Sequence, residues 1–124
     1  MVRIIAGRWK RKQLVVLDKN NLRPTPSKVR ETLFNWLSTR IDLTNALVLD
    51  LFCGSGALGF EAASRGAKKV YLIDSDPKVV DQLNKFINIL ENPKNIKTFC
   101  KEATEWLKLN QNYRFDLIFL DPPF

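Results

Sequence analysis

The sequence predicts an α/β fold built on a parallel sheet, and three observations predict it. From residue 46 onward, strand-like apolar runs alternate with segments of helical period. A glycine cluster, Gly54-Ser55-Gly56-Ala57-Leu58-Gly59, follows the first of those runs directly. The last run, residues 115–120, leads into Asp121-Pro122-Pro123-Phe124. Strands that alternate with helices are joined by right-handed crossovers, which make neighbouring strands parallel.

Residues 2–7 and 13–17 read as two short strands joined by the basic turn Arg8-Trp9-Lys10-Arg11-Lys12. A hairpin with that tip offers cations to phosphates and one ring, Trp9, to stack on a base or pack on the body. The rigid stretch Leu22-Arg23-Pro24-Thr25-Pro26-Ser27 leads into the helical segment Lys28 to Leu37. Thr25 is expected to cap it, with Pro26 at its first position. Val29, Leu33, Trp36 and Leu37 form its apolar stripe, which leaves Lys28 and Arg30 toward water. Arg23 and Arg30 are accordingly assigned to phosphate or an acidic partner.

Residues 46–52 form the first core strand and 57–65 a short helix ended by Gly66. Residues 69–74 form the second strand. Asp76-Pro77 caps and opens a helix carrying Val80, Leu83, Ile87 and Leu90 at helical spacing, and Asn92-Pro93 breaks it. Residues 96–100 are strand-like and 104–109 a short helix. Residues 115–120 are apolar enough for the interior of a sheet. Residues 1–45 are thus expected to be a basic extension and 46–124 a cofactor-binding domain.

The chain has 124 residues, enough for one domain with a real core, and a net charge of +7. Residues 1–48 hold ten Lys/Arg against three Asp/Glu, whereas 49–124 hold ten of each, so the whole excess lies in the N-terminal segment. A basic segment on a neutral body suits a polyanion. A membrane surface fits less well, because the cations are not arrayed along one amphipathic helix. No apolar run approaches the length of a membrane span. Cys53 and Cys100 read as two buried free thiols of a cytoplasmic protein. With no histidine, a metal role is not expected.

The glycine cluster has the GxGxxG form at a strand-to-helix turn, where it receives a cofactor. Gly54 and Gly56 permit a tight turn and close approach, while Gly59 permits close packing of helix on strand. Asp74, twenty residues beyond Gly54, ends the next strand, where a carboxylate accepts both hydroxyls of a ribose. A dinucleotide would set its pyrophosphate on the helix start. Asp50 stands four residues before Gly54, however, and an acid there suits a positively charged amino-acid end. That favours S-adenosylmethionine over NAD, with Phe52 and Ser55 in the same turn. Glu102 and Ala103 follow the third strand, near the expected adenine. The loop Asp121 to Phe124 adds a rigid set of acceptors, because proline fixes φ and removes N–H donors. Such a loop suits a planar amine held while it attacks a methyl group.

Together these features resemble the class I S-adenosylmethionine-dependent methyltransferases, and more narrowly the bacterial 16S rRNA guanine-N2 methyltransferase family. The narrow resemblance rests on Arg3-Ile4-Ile5-Ala6-Gly7 with its hairpin, on Arg23-Pro24-Thr25 followed by Val29-Arg30-Glu31 and Leu33-Phe34-Asn35, on residues 50–59, and on Asp121 to Phe124. It implies a Rossmann-like fold and methylation of the 2-amino group of a guanine in 16S rRNA of an assembling 30S subunit, leaving S-adenosylhomocysteine. The cofactor would be held by Asp50, Phe52, Gly54, Ser55, Gly56, Asp74, Glu102 and Ala103. Asp121, Pro122 and Phe124 would hold the guanine, and Arg8, Lys10, Arg11, Lys12, Arg23 and Arg30 the RNA. Asp74 stands where the family has glutamate, and Glu102 where it has a shorter Asp or Asn.

Members of that family continue for several elements beyond the final motif. The chain is therefore expected to be a fragment whose sheet is incomplete after the fourth core strand. The full-length form is expected to be a monomer, and the shorter chain to self-associate through an uncovered strand. Two other functions stay open at this point: an adenine-N6 methyltransferase acting on DNA or RNA, and an inactive RNA-binding fragment.

Overall fold

Strand pairing begins at the amino end, where β1 (Val2–Arg3) runs antiparallel to β2 (Gln13–Leu14) with Val2 opposite Leu14. The structure, a computed structural model, describes residues 2–14 and 25–122. The expected strand residues 15–17, Arg23 with its Leu22-Arg23-Pro24 stretch, and Phe124 lie outside the described residues. Then come α1 (Ser27–Leu37), a single 3₁₀ turn (Leu43–Asn45), β3 (Leu47–Asp50), α2 (Ala57–Ser64), β4 (Lys69–Asp74) and α3 (Pro77–Ile89). The chain continues through β5 (Ile96–Cys100), α4 (Ala103–Leu109) and β6 (Leu117–Phe119).

The four later strands form one parallel sheet in the order β5-β4-β3-β6. The punctuation read from the sequence closes these elements. Asp76 caps α3 by accepting the Lys78 N–H (2.9 Å), with Pro77 in the first turn. Gly66, at φ +105°, turns the chain out of α2.

Because side chains alternate across a strand, the sheet has two buried faces. Val48, Val70, Leu72 and Phe119 point to one face, where α1, α2 and α3 lay down Phe34, Phe60, Leu83 and Phe86. Leu49, Tyr71 and Ile73 point to the other, under Trp106 of α4. Aromatic edges close that second core, with the Tyr71 and Phe99 centroids 5.7 Å apart. Each such side chain taken fully out of water contributes about 1.5–3 kcal/mol. The hairpin shares the first core through Val2, Ile4, Trp9 and Leu14. Trp9 is therefore packed on the body and is not a ring offered to RNA.

Three local expectations change. Helix α1 begins at Ser27 with Pro26 as its cap, not at Pro26 under Thr25, and no side chain caps it. Its buried face is Arg30, Phe34 and Leu37, while Val29 and Trp36 are 53% and 54% exposed. The helix is turned so that Arg30 meets a buried carboxylate. Of the two thiols, Cys53 is buried and Cys100 is exposed at the end of β5. Among the described residues β6 is one of the two flanks of the sheet, and Ile118 and Leu120 there are exposed. No helix among the described residues is long and apolar enough to cross a membrane.

Candidate active site

All four parallel strands end at one edge of the sheet, and the register sets the heights of the residues there. Asp50 ends β3 level with Leu72 of β4 and Phe119 of β6. Asp74 and Asp121 therefore each stand two residues further out, on either side of the turn that leaves β3. Backbone bonds hold that turn: Leu51 N–H donates to the Phe119 carbonyl (3.3 Å), Cys53 N–H to Ile73 (3.1 Å) and Gly56 N–H to Cys53 (2.8 Å).

The glycines act as their spacing predicts at two positions. Gly56 caps α2 at φ +80°, and a Cβ there would press on the Phe60 ring at 2.6 Å. Gly59 lies against Leu72, where an added Cβ would collide with the Leu72 side chain. Gly54 and Gly56 are buried, while Phe52 and Ser55 are half-buried, and Phe52 packs against the second core.

Asp50 is only 2% exposed, and its Oδ2 accepts the Gly59 N–H (3.1 Å). Burial pushes its carboxyl up to about 7. The Gly59 bond works against that rise, and the fields of Asp121 and Asp74 add to it. Asp74 accepts Gly54 N–H (3.1 Å) through one oxygen and Asp76 N–H (3.0 Å) through the other. It thus clamps the glycine turn to the end of β4. Burial also pushes the Cys53 thiol well above its usual value, which suits packing and not nucleophilic attack.

Asp121 is exposed and Pro122 half-buried beyond β6. Glu102 is exposed at the start of α4, where its side chain makes no capping bond, and Ala103 packs half-buried on the second core. Among the described residues, no group of three or more Cys, Asp or Glu is gathered closely enough to hold a metal ion. The edge nonetheless gathers three carboxyl groups, Asp50, Asp74 and Asp121, around its glycine turn, and one turn donor, Gly54 N–H, is already taken by Asp74. A pyrophosphate would meet repulsion there, whereas a cationic amino-acid end or sulfonium fits.

At the hairpin tip, Arg8, Lys10, Arg11 and Lys12 are exposed, and the Arg8 guanidinium lies 5.0 Å from the Trp9 ring centroid. Arg30 is not on this surface. It is 1% exposed, and its Nη1 donates to Glu61 (3.2 Å), its Nη2 to the Arg3 carbonyl (3.0 Å) and its Nε to the Thr25 carbonyl (3.1 Å). Its expected role on RNA is thereby corrected, because every face of the guanidinium is spent inside the protein.

Sequence reasoning missed Glu61, which receives Arg30. The available signal was a lone charged residue in Ala57–Ser64, a helix that apart from Ser64 carries no other polar side chain. A charge on such a helix demands a buried partner.

The chain matches the family described as Conserved hypothetical protein 95 over residues 2–124. It is 46% identical to the ribosomal RNA small subunit methyltransferase D of Haemophilus influenzae, covering 99% of this chain and 64% of that protein. The chain therefore spans a little under two thirds of that relative's length. The solved structure of a hypothetical protein of Thermus thermophilus superimposes with a TM-score of 0.88 at 31% identity. That match covers 100% of this chain and 70% of the other. The magnesium protoporphyrin IX methyltransferase of Synechocystis, solved with bound S-adenosylhomocysteine, gives a TM-score of 0.52 at 26% identity. It covers 60% of this chain and 34% of that one. The parallel sheet thus follows the architecture of methyltransferase structures, and the chain belongs to the Conserved hypothetical protein 95 family.

Proposed function

We propose that the protein transfers a methyl group from S-adenosylmethionine to the 2-amino group of a guanine in 16S rRNA, within an assembling 30S subunit. The observation that carries this reading is the meeting of Asp50, the glycine turn, Asp74 and the Asp121-Pro122 loop at one sheet edge. The name of the Haemophilus relative supports an rRNA substrate, and the bound product in the Synechocystis structure supports the cofactor. Residues 46–124 would hold the cofactor, and residues 1–45 would extend toward RNA.

When bound, the cofactor supplies a methyl group already made electrophilic by its sulfonium. The protein's own work is alignment. Asp50, Phe52, Gly54, Ser55 and Gly56 would hold the amino-acid end, Asp74 the ribose, and Glu102 with Ala103 the adenine. The 2-amino group of guanine is a poor nucleophile, because its lone pair is delocalised into the ring. Asp121 and the Pro122 carbonyl would accept its two hydrogens and turn the lone pair toward the methyl. Phe124 would stack on the base. Asp121 need not be a strong base, since the proton becomes acidic as the nitrogen gains charge.

Calorimetric titration tests the cofactor half of the proposal. S-adenosylmethionine and S-adenosylhomocysteine are expected to bind, and NAD is not. Preferential NAD binding would overturn the reading.

The RNA half rests on Arg8, Lys10, Arg11 and Lys12, with Arg23 assigned alongside them and Arg30 withdrawn. Replacing the four tip cations by Gln together should weaken rRNA binding across sequences. The slope of log affinity against log salt should flatten by about 3, since each phosphate contact adds about 0.7–0.9 to it. An unchanged slope would remove the hairpin from the interface.

A further inference from the structure

We infer that Glu61 is a positioning residue: from the helix that starts at the glycine turn, its carboxylate fixes the basic hairpin relative to the cofactor site. The inference rests on the hairpin being an RNA-contacting surface. Glu61 is 0% exposed. Its Oε1 accepts Ile5 N–H (2.8 Å) and Arg30 Nη1 (3.2 Å), and its Oε2 accepts Ala6 N–H (3.1 Å) and Arg65 Nε (2.9 Å). Four donors on two oxygens use the acceptor capacity of a carboxylate in full.

The next turn of α2 continues the grip. Ser64 Oγ accepts Trp9 N–H (2.9 Å) and donates to the Ala6 carbonyl (2.7 Å), while the Ser64 carbonyl accepts Arg8 N–H (2.7 Å). Gly7, at φ +90°, passes so close that a Cβ would collide with that carbonyl. Ile5, Ala6, Arg8 and Trp9, just ahead of Lys10 to Lys12, are thus bonded through their backbone to Glu61 and Ser64 of α2. The other end of α2 is Gly56, about 12 Å away at 1.5 Å per residue.

Apolar burial of Val2, Ile4, Trp9 and Leu14 holds the hairpin down, but burial is non-directional and does not choose its register. The hydrogen bonds do. A buried ion pair is weak evidence of stability and is better attested as a device that fixes registry.

The test is Glu61→Gln in the intact protein, with Ser64→Ala as a milder second variant. Gln keeps the shape but turns an NH2 donor toward donors. Amide exchange at Ile5 and Ala6 should accelerate about tenfold or more, with β3 and β4 unchanged. KM for undermethylated 30S particles should rise about tenfold. S-adenosylmethionine affinity, and kcat at saturating particles, should stay within about twofold. Ser64→Ala should follow the same order at smaller size, and it decides the matter if Glu61→Gln does not fold. Unchanged hairpin exchange and unchanged KM would overturn the inference. So would a Ser64→Ala protein that loses sheet protection and cofactor affinity together, since that marks a purely structural role. If the wild-type protein binds no rRNA, the reading of the hairpin as an RNA surface fails by itself. Exchange at Ile5 and Ala6 in Glu61→Gln still decides whether Glu61 holds the hairpin.

Discussion

Asp121→Asn is expected to lower the single-turnover rate of methyl transfer about 100- to 1000-fold, equivalent to about 3–4 kcal/mol of lost transition-state stabilisation. The substitution keeps size but replaces a group that only accepts with one that offers an acceptor and an NH2 donor. That donor would face a hydrogen of the target amine, so orientation suffers more than binding. Asp121 is exposed beyond β6, so the fold should change little, within about 0.5 kcal/mol. Asp74→Ala should behave differently. It releases Gly54 N–H and Asp76 N–H from their clamp and should weaken cofactor affinity first. The measurement is methyl transfer to undermethylated 30S particles at saturating cofactor, followed by nucleoside analysis. A near-normal rate for Asp121→Asn would refute its role. N6-methyladenosine as product would move the assignment to an adenine enzyme.

Stability in the absence of cofactor is expected to fall as pH rises through the neutral range, and Asp50 is the cause. Its folded-state carboxyl stands at about 7, against an ordinary value of 3.8. Between those values the folded protein binds more protons at this site than the unfolded chain does. The stabilisation is therefore complete below the ordinary value, declines as pH climbs toward about 7, and is gone above it. At about 1.4 kcal/mol per unit, the decline from about pH 5.5 to about pH 8 amounts to roughly 2 kcal/mol. Asp50→Asn keeps an acceptor for Gly59 N–H and removes the titration. Urea unfolding at the two pH values should show the difference between wild type and variant widening by that amount. Parallel profiles would show that Asp50 is ionised throughout. An uncharged Asp50 offers a cation little, so S-adenosylmethionine affinity should weaken as pH falls below about 7.

Much of the architecture was legible because its causes are local. Alternation of apolar runs and helical periods marked the four parallel strands and three of the helices, and β4 and β5 carry the predicted boundaries. Asp76-Pro77 announced its own cap, and the glycine turn announced its own geometry, since only glycine tolerates the φ of Gly56 and the contact of Gly59 with Leu72. Strand ends then carried Asp50, Asp74 and Asp121 to one edge, which follows from parallel pairing alone.

The sequence by itself thus determined the parallel α/β class, the glycine turn and the carboxyl edge to which the acids belong. Only the tertiary structure decided which face of α1 is buried, because periodicity weighs hydrophobicity and is blind to a partner 31 residues away. On that scale Val29 and Trp36 belong inside and Arg30 outside. A fully buried Glu61 reverses the order, since an uncompensated carboxylate costs more than an exposed tryptophan. The same long-range demand turned Arg30 from an expected RNA contact into an internal donor, and joined the hairpin to α2. The shift of Asp50 was equally invisible in the chain, because it arises from burial and from two acids brought near only by the register of the sheet.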